Sequence, residues 1–228
     1  MSIDFKGSHY PKGVILYAVS FYVRYAVSYR DLEEILAKRG IRIDHTTLNR
    51  RVVKYSSDIA KAAQTRKQST AGSWRMDEAY IKVKGKWMYL YRAVDKHGKT
   101  LDFMLSKRRD KAAARLFFRR AIETNGLPSR IVIDKSGANL ADLQRINVGL
   151  KFLRTKQRIE ILRMKCLNNI VEQDHRFIKK ITRPTLSFKA FQSAAATLAG
   201  IEVAHMIRKK QFQSNHTSPF KQFASLAA

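Results

Sequence analysis

The chain has 228 residues, 45% of them hydrophobic and 28% charged, with 45 Lys and Arg against 18 Asp and Glu and a formal net charge of +27. These values exclude a disordered basic tail and suit one substantial domain plus a small accessory one. No apolar run approaches the roughly 18 residues of a membrane span, and Met1–Tyr10 carries no secretory pattern. The single cysteine, Cys166, can form neither an internal disulfide nor a cysteine-based zinc site, so a cytoplasmic setting is expected. The charge excess predicts a polyanionic partner, nucleic acid ahead of an anionic membrane surface.

The N-terminal signals are helical. Val14–Val27 is apolar and aromatic, with Arg24 its only charge. Ser28 can cap a helix running to about Arg39, with Asp31 in the first turn where the helix dipole favours a carboxylate. Gly40 stops that helix, and Asp44 can cap the next, His45 to about Tyr55. Helix, glycine-containing turn, helix is the helix-turn-helix pattern, though a plain helical hairpin with a basic face has the same signature. Read as a DNA-binding domain over residues 1–61, it would present Thr46, Thr47, Asn49, Arg50 and Arg51 to base edges and phosphates. Ala62–Ser73 is small and polar and reads as a linker, residues 62–73.

Beyond it the period changes. Trp74–Lys84, Trp87–Val94 and Thr100–Ser106 are three strands of a meander joined at Gly85-Lys86 and His97-Gly98-Lys99. Lys111–Asn125 reads as a helix ended by Gly126 and Pro128, Arg130–Asp134 as a short buried strand, and Leu140–Val148 as helical. Arg158–Met164 suits another strand, and Asn169 begins a helix to about Thr182. The order βββαβαβα predicts an α/β domain over residues 74–183 with a ribonuclease-H-like mixed sheet. A last helix over Phe188–Lys210 lies in a segment, residues 184–228, expected to pack on or extend that domain.

Three acids stand out. Asp77 lies within the first strand, where a carboxylate needs a cationic partner or a metal. Asp134 ends an apolar strand, where ligands of open α/β sheets bind, although an Asp there can also cap a turn. Glu172 follows Asn169 by three residues, the spacing of a capping box. Two strand carboxylates and a helical Glu can converge on one sheet edge and hold Mg²⁺, which prefers oxygen ligands. Asp174 and Glu160 compete for the third place. Glu172 is preferred because Arg176 and Lys179 follow on the same helical face and could hold DNA. Asp95, Asp102 and Asp110, near turns and strand ends, read as solvated. His175 reads as a neighbour of the site or a DNA contact rather than a ligand. The aromatic run Trp87–Tyr91 fits core and strand pairing better than a base-stacking platform. No glycine-rich phosphate loop is present, so ATP use is not expected.

At these residues the chain resembles the DDE transposases of the bacterial IS-six group, which includes the IS-twenty-six type. The resemblance covers nearly the whole length and is strongest at Tyr25–Leu36, Ile41–Leu48, Met76–Asp95, Ile133–Asn139 and Asn168–Arg176. It implies a helix-turn-helix, a ribonuclease-H-like core, and Asp77, Asp134 and Glu172 as catalytic ligands of two Mg²⁺ ions, with Mn²⁺ able to substitute. The basic residue placed seven after the Glu maps to Lys179. It further implies cleavage at element ends, attack of the freed 3′-hydroxyl on target DNA, double-stranded terminal inverted repeats and target DNA as partners, action as a dimer or larger assembly, and residence at the nucleoid. Three positions depart from the family pattern. Asn49-Arg50-Arg51-Val52 replaces a Trp-containing stretch, Ala79 replaces a Thr, and Cys166 replaces a Tyr. The interval of 37 residues between Asp134 and Glu172 is a few longer than in many members. The alternatives are an inactive DNA-binding regulator or transposase relic, and a site-specific nuclease without strand transfer.

Overall fold

The computed structural model describes the chain except residues 1–2, 6–8, 135–136, 153–156, 165–167, 186 and 214–217. The expectations for Cys166 and for the turn at Lys135-Ser136 lie outside the described residues. The chain divides into two units, Met1–Gln68 with Phe177–Ala228, and Ser69–Arg176.

The first unit is helical: α1 (Lys12–Arg24), α2 (Tyr29–Ala37), α3 (His45–Arg66), α7 (Phe191–Arg208) and α8 (Pro219–Ser225). Ser28 caps α2 as expected. Its hydroxyl accepts from the Asp31 amide while Asp31 accepts from the Ser28 amide, so both orphan donors are satisfied. Gly40 ends the helix in the left-handed region at φ 76°, which a side chain adopts only with strain. Asp44 then caps α3 by accepting from the Thr46 and Thr47 amides.

Residues 62–66 are not linker but the last turn of α3: Ala63 is buried, and Ala is the strongest helix former. Of the two arrangements expected for the segment after residue 184, extension of the sheet domain is excluded, since the segment belongs to the helical unit. Its long helix α7 packs on α1 and α3. Twelve of its residues are buried, which a helix covering one face of a sheet would not require. At Gly200 its backbone meets its neighbours closely. A Cβ there would lie 2.5 Å from Ser56 Oγ and 2.8 Å from Val23 Cγ1.

The second unit is built on five strands, β1 (Ser73–Val83), β2 (Lys86–Asp95), β3 (Thr100–Ser106), β4 (Arg130–Ile133) and β5 (Glu160–Arg163), in the order β3-β2-β1-β4-β5. The first three are antiparallel neighbours, and β4 and β5 run parallel to β1. This is the expected ribonuclease-H-like mixed sheet. Helices α4 (Lys111–Asn125) and α5 (Gly137–Phe152) cover one face. Trp74, Met76 and Tyr91 from the sheet pack there with Phe117, Phe118 and Leu143. Helix α6 (Asn169–Thr182) belongs to this unit through Arg176.

Candidate active site

Parallel register sets the site. Arg75 of β1 pairs with Val132 of β4. Asp77 and Asp134 each stand two residues further along: Asp134 just past the carboxyl end of β4, where open α/β sheets bind ligands, and Asp77 beside it within β1, which runs on to Val83. Carboxylate oxygens of Asp77, Glu78 and Asp134 lie within 4.8 Å of one another. Asp77 and Glu78 point to opposite faces of β1, as successive strand residues do, so the cluster is supported from both sides.

On the α5 side, Asn139 donates to Glu78 Oε1 at 2.9 Å, and Arg109 donates to Glu78 Oε2 at 3.1 Å and to Asp134 Oδ2 at 3.3 Å. The Glu78 side chain is only 4% exposed. Burial first, and then the charges of Asp134 and Asp77, push its carboxyl above the usual carboxylate range, while Asn139 and Arg109 oppose the rise. On the α6 side, Arg92 stands opposite Asp77 in the β1–β2 register and is 0% exposed. A buried guanidinium requires a counter-charge. Asp174 supplies it at 2.6 Å, and Arg92 Nη1 lies 3.3 Å from His175 Nδ1. On its other side His175 Nε2 lies 3.3 Å from Asp77 Oδ2, so the ring stands between the guanidinium and the carboxylate.

Glu172 is not part of the cluster. It is exposed in the first turn of α6. Residues on either side of it fasten that turn to β1: Asn168, just before the helix, donates to the Met76 carbonyl at 3.3 Å, and His175, three residues after Glu172, faces Asp77. Arg176 and Lys179 are exposed on the same helix.

Of the competitors, Glu160 forms an exposed pair with Arg130 at 2.7 Å. Asp174 is not an idle alternative, since it neutralises Arg92. Asp95 and Asp102, expected in solvent, are buried. Asp95 accepts from the Ala71, His97 and Lys99 amides, and Asp102 accepts from both Nε and Nη2 of Arg120 at 2.7 Å. Asp110 caps α4 through the Ala113 amide. Glu78, Asn139 and Arg109 went unnoticed in the sequence. Nothing local in the sequence ties residues 109 and 139 to residue 78.

In the helical unit, Thr46 and Arg50 are exposed at the start of α3, while Thr47, Asn49 and Arg51 are half-buried. The Thr46 hydroxyl donates to Asp44. Glu33 accepts from the His45 amide at 3.1 Å and lies 2.8 Å from its Nδ1, pinning α2 to the turn before α3.

Among the described residues no helix is long and apolar enough to cross a membrane. A family model described as a DDE domain matches residues 71–211. The transposase for insertion sequence element IS257 in transposon Tn4003 of Staphylococcus aureus is 38% identical over 210 residues, 92% of this chain and 91% of the relative. The transposase for insertion sequence-like element IS431mec of Staphylococcus aureus strain N315 matches to the same extent. The HTLV-2 integrase catalytic core domain in complex with magnesium aligns at a TM-score of 0.45 and 20% identity, over 59% of this chain and 86% of that one. With the motifs, the sheet order and the acidic edge in hand, the chain belongs to the IS-six family of DDE transposases, enzymes that transfer polynucleotides.

Proposed function

We propose that this transposase binds the terminal inverted repeats of its element, cuts the DNA strand at each end and joins the freed 3′-hydroxyl to target DNA, using Mg²⁺. The observation that carries the reading is the convergence of carboxylates from β1 and β4 at the sheet edge of a strongly basic chain. Family membership implies dependence on a divalent metal. The donor set fits one: hard carboxylate oxygens in close array, with like-charge crowding that a cation relieves. Asp77, Asp134 and Glu172 are the proposed ligands, with Glu78 beside them, and two ions are expected. A divalent ion held by these residues would supply activation of the attacking oxygen and charge stabilisation of the leaving one.

The protein's own residues position and neutralise. Arg109 and Asn139 hold Glu78, and Arg92 and His175 hold the turn that carries Glu172 and the side of Asp77. In the first step water forms a bond to phosphorus and the 3′-oxygen leaves, taking a proton. In the second, that 3′-hydroxyl attacks a target phosphate and displaces another 3′-oxygen. One P–O bond forms and one breaks each time, so neither ATP nor a covalent protein intermediate is needed.

Recognition of the repeat is assigned to the first turns of α3, through Thr46, Thr47, Asn49, Arg50 and Arg51. Thr47→Ala or Asn49→Ala should reduce discrimination against random DNA by about 1–3 kcal/mol if they read bases. Arg176 and Lys179 are proposed phosphate contacts. The partners are double-stranded repeat and target DNA and further copies of the chain, since two ends must meet, and the setting is the bacterial nucleoid. The test is incubation of the purified full chain with Mg²⁺ and oligonucleotides taken from the DNA flanking its gene, with cleavage and joining scored separately. Both are expected. Binding without either would favour an inactive regulator, and cleavage without joining a nuclease.

A further inference from the structure

The outer end of the β1–β2 hairpin carries a strip of side chains that the proposed chemistry leaves unused. Cross-strand register pairs Glu78 with Tyr91, Tyr80 with Tyr89, and Lys82 with Trp87. Alternation puts these six on one face. Glu78 belongs to the acidic cluster and Tyr91 is buried, so the strip begins at the candidate active site. Exposure then rises outward, to 49% at Tyr80 and 59% at Trp87. The Tyr80 ring lies 5.5 Å from Tyr89 and edge-on to Trp87 at 6.3 Å, and Lys82 Nζ stands 6.0 Å from the indole centroid. Lys84 and Lys86 are exposed at the tip.

The core takes in Tyr91 and packs against Tyr89, but it does not account for Tyr80, Lys82 and Trp87. Ala79, Ile81, Val83 and Leu90 bury the opposite face of the same strands. Aromatic rings interleaved with lysines offer a π-face and a cation at adjacent positions, which suits a nucleotide's base and phosphate. At roughly 3.3 Å per residue, Tyr80 stands about 7 Å along the strand from Glu78, and Lys82 with Trp87 about 13 Å. That is a distance of a few nucleotides from a phosphate held at the acids. In an intact duplex each base is already stacked, so only unpaired bases can lie on these rings.

We propose that Tyr80, Lys82 and Trp87, flanked by Lys84 and Lys86, form a stacking site for unpaired nucleotides next to the phosphate undergoing reaction. This rests on the transposase reading above and adds where the DNA end is gripped.

The chain's own fluorescence provides the test. Of its two tryptophans Trp74 is only 2% exposed, so quenching by DNA reports on Trp87, and Trp87→Phe gives the background from Trp74. The full chain is titrated without metal against terminal-repeat duplexes, one blunt and one with a short unpaired extension. The extended duplex should quench Trp87 more strongly. Read by the anisotropy of dye-labelled duplexes, Trp87→Ala and Tyr80→Ala should each weaken binding of the extended duplex about tenfold, leave the blunt duplex nearly unaffected, and be largely rescued by Trp87→Phe and Tyr80→Phe. Wild-type quenching keeps the test valid should an alanine variant fold poorly. Equal losses on both duplexes, or none, overturn the stacking site while leaving the transposase reading intact. A fall in sedimentation mass of DNA-free Trp87→Ala also overturns it and assigns the face to contact between copies. Absence of all repeat binding in the wild type removes both proposals.

Discussion

The two units satisfy their polar groups in different ways. In the helical unit the bonds that start its second and third helices are local: Ser28 with Asp31, Asp44 with the Thr46 and Thr47 amides, and Glu33 with His45 across one turn. In the sheet unit they join residues far apart in the chain. Arg92 meets Asp174, Arg109 meets Glu78 and Asp134, and Asn139 meets Glu78. Local caps set where helices begin and end. Long-range charge pairs make one unit of the elements around the acids, so disturbing them should affect chemistry as well as folding.

The largest expected effect sharpens that contrast. Asp77→Asn, Asp134→Asn and Glu172→Gln should each reduce strand transfer by several kcal/mol of barrier while repeat binding stays near normal. Glu160→Gln, in an exposed pair worth about 0–1 kcal/mol, should remain active. Full transfer in any of the first three removes that residue from the site.

Next comes the buried guanidinium. Arg92→Met leaves Asp174 without the partner it has at 2.6 Å and should cost about 3–5 kcal/mol in denaturant unfolding. Arg92→Met with Asp174→Leu should recover much of that stability. Transfer should stay low in the double variant, because His175 then lacks its Arg92 contact beside Asp77. Recovery of transfer together with stability would show the pair to be structural only.

In the helical unit, Gly200→Ala forces a Cβ against Ser56 and Val23 and should cost about 1–3 kcal/mol, read as a lowered midpoint. Ser56→Ala in the same chain should return part of the loss.

The smallest effect is at the cap of α2. Ser28→Ala should cost about 1 kcal/mol. The Ser28 amide and hydroxyl hold the Asp31 carboxyl below its usual range. A lowered folded-state pKa adds stability above the ordinary carboxylate range, lost as pH falls through the folded value. Asp31→Asn should therefore flatten a small acid-side slope, well under 1 kcal/mol given its exposure. No change in slope would mean that the cap is already frayed in solution.

The same contrast explains what could be read from the chain. The bounds of β3 and α4 and the cap at Ser28 were legible because alternation, helical period and capping chemistry are short-range signals. Asp77 and Asp134 were legible because one interrupts a strand and the other ends one. The end of α3 was misread because Ala62–Arg66 has a loop-like mixture of small and polar residues, yet the Ala, Gln and Arg in it are good helix formers. The return of α7 to the first unit was hidden because an apolar helix does not state its partner. Glu78 and Arg92 were missed for a related reason: their roles depend on residues dozens of positions away. Trp87, read with the core, is mostly in solvent, since an aromatic on a strand fits either face.

If Asp77 and Asp134 jointly hold a divalent ion where β1 runs past the end of β4, the unfolding midpoint of the full chain, without DNA, responds as Mg²⁺ is raised. Saturating metal should raise the wild-type midpoint, by about 2.7 kcal/mol of stability at a hundred times the dissociation constant. Asp134→Asn and Asp77→Asn should each abolish most of that rise, and Glu160→Gln should keep it. A rise of equal size in all four proteins would place the metal elsewhere and contradict the account.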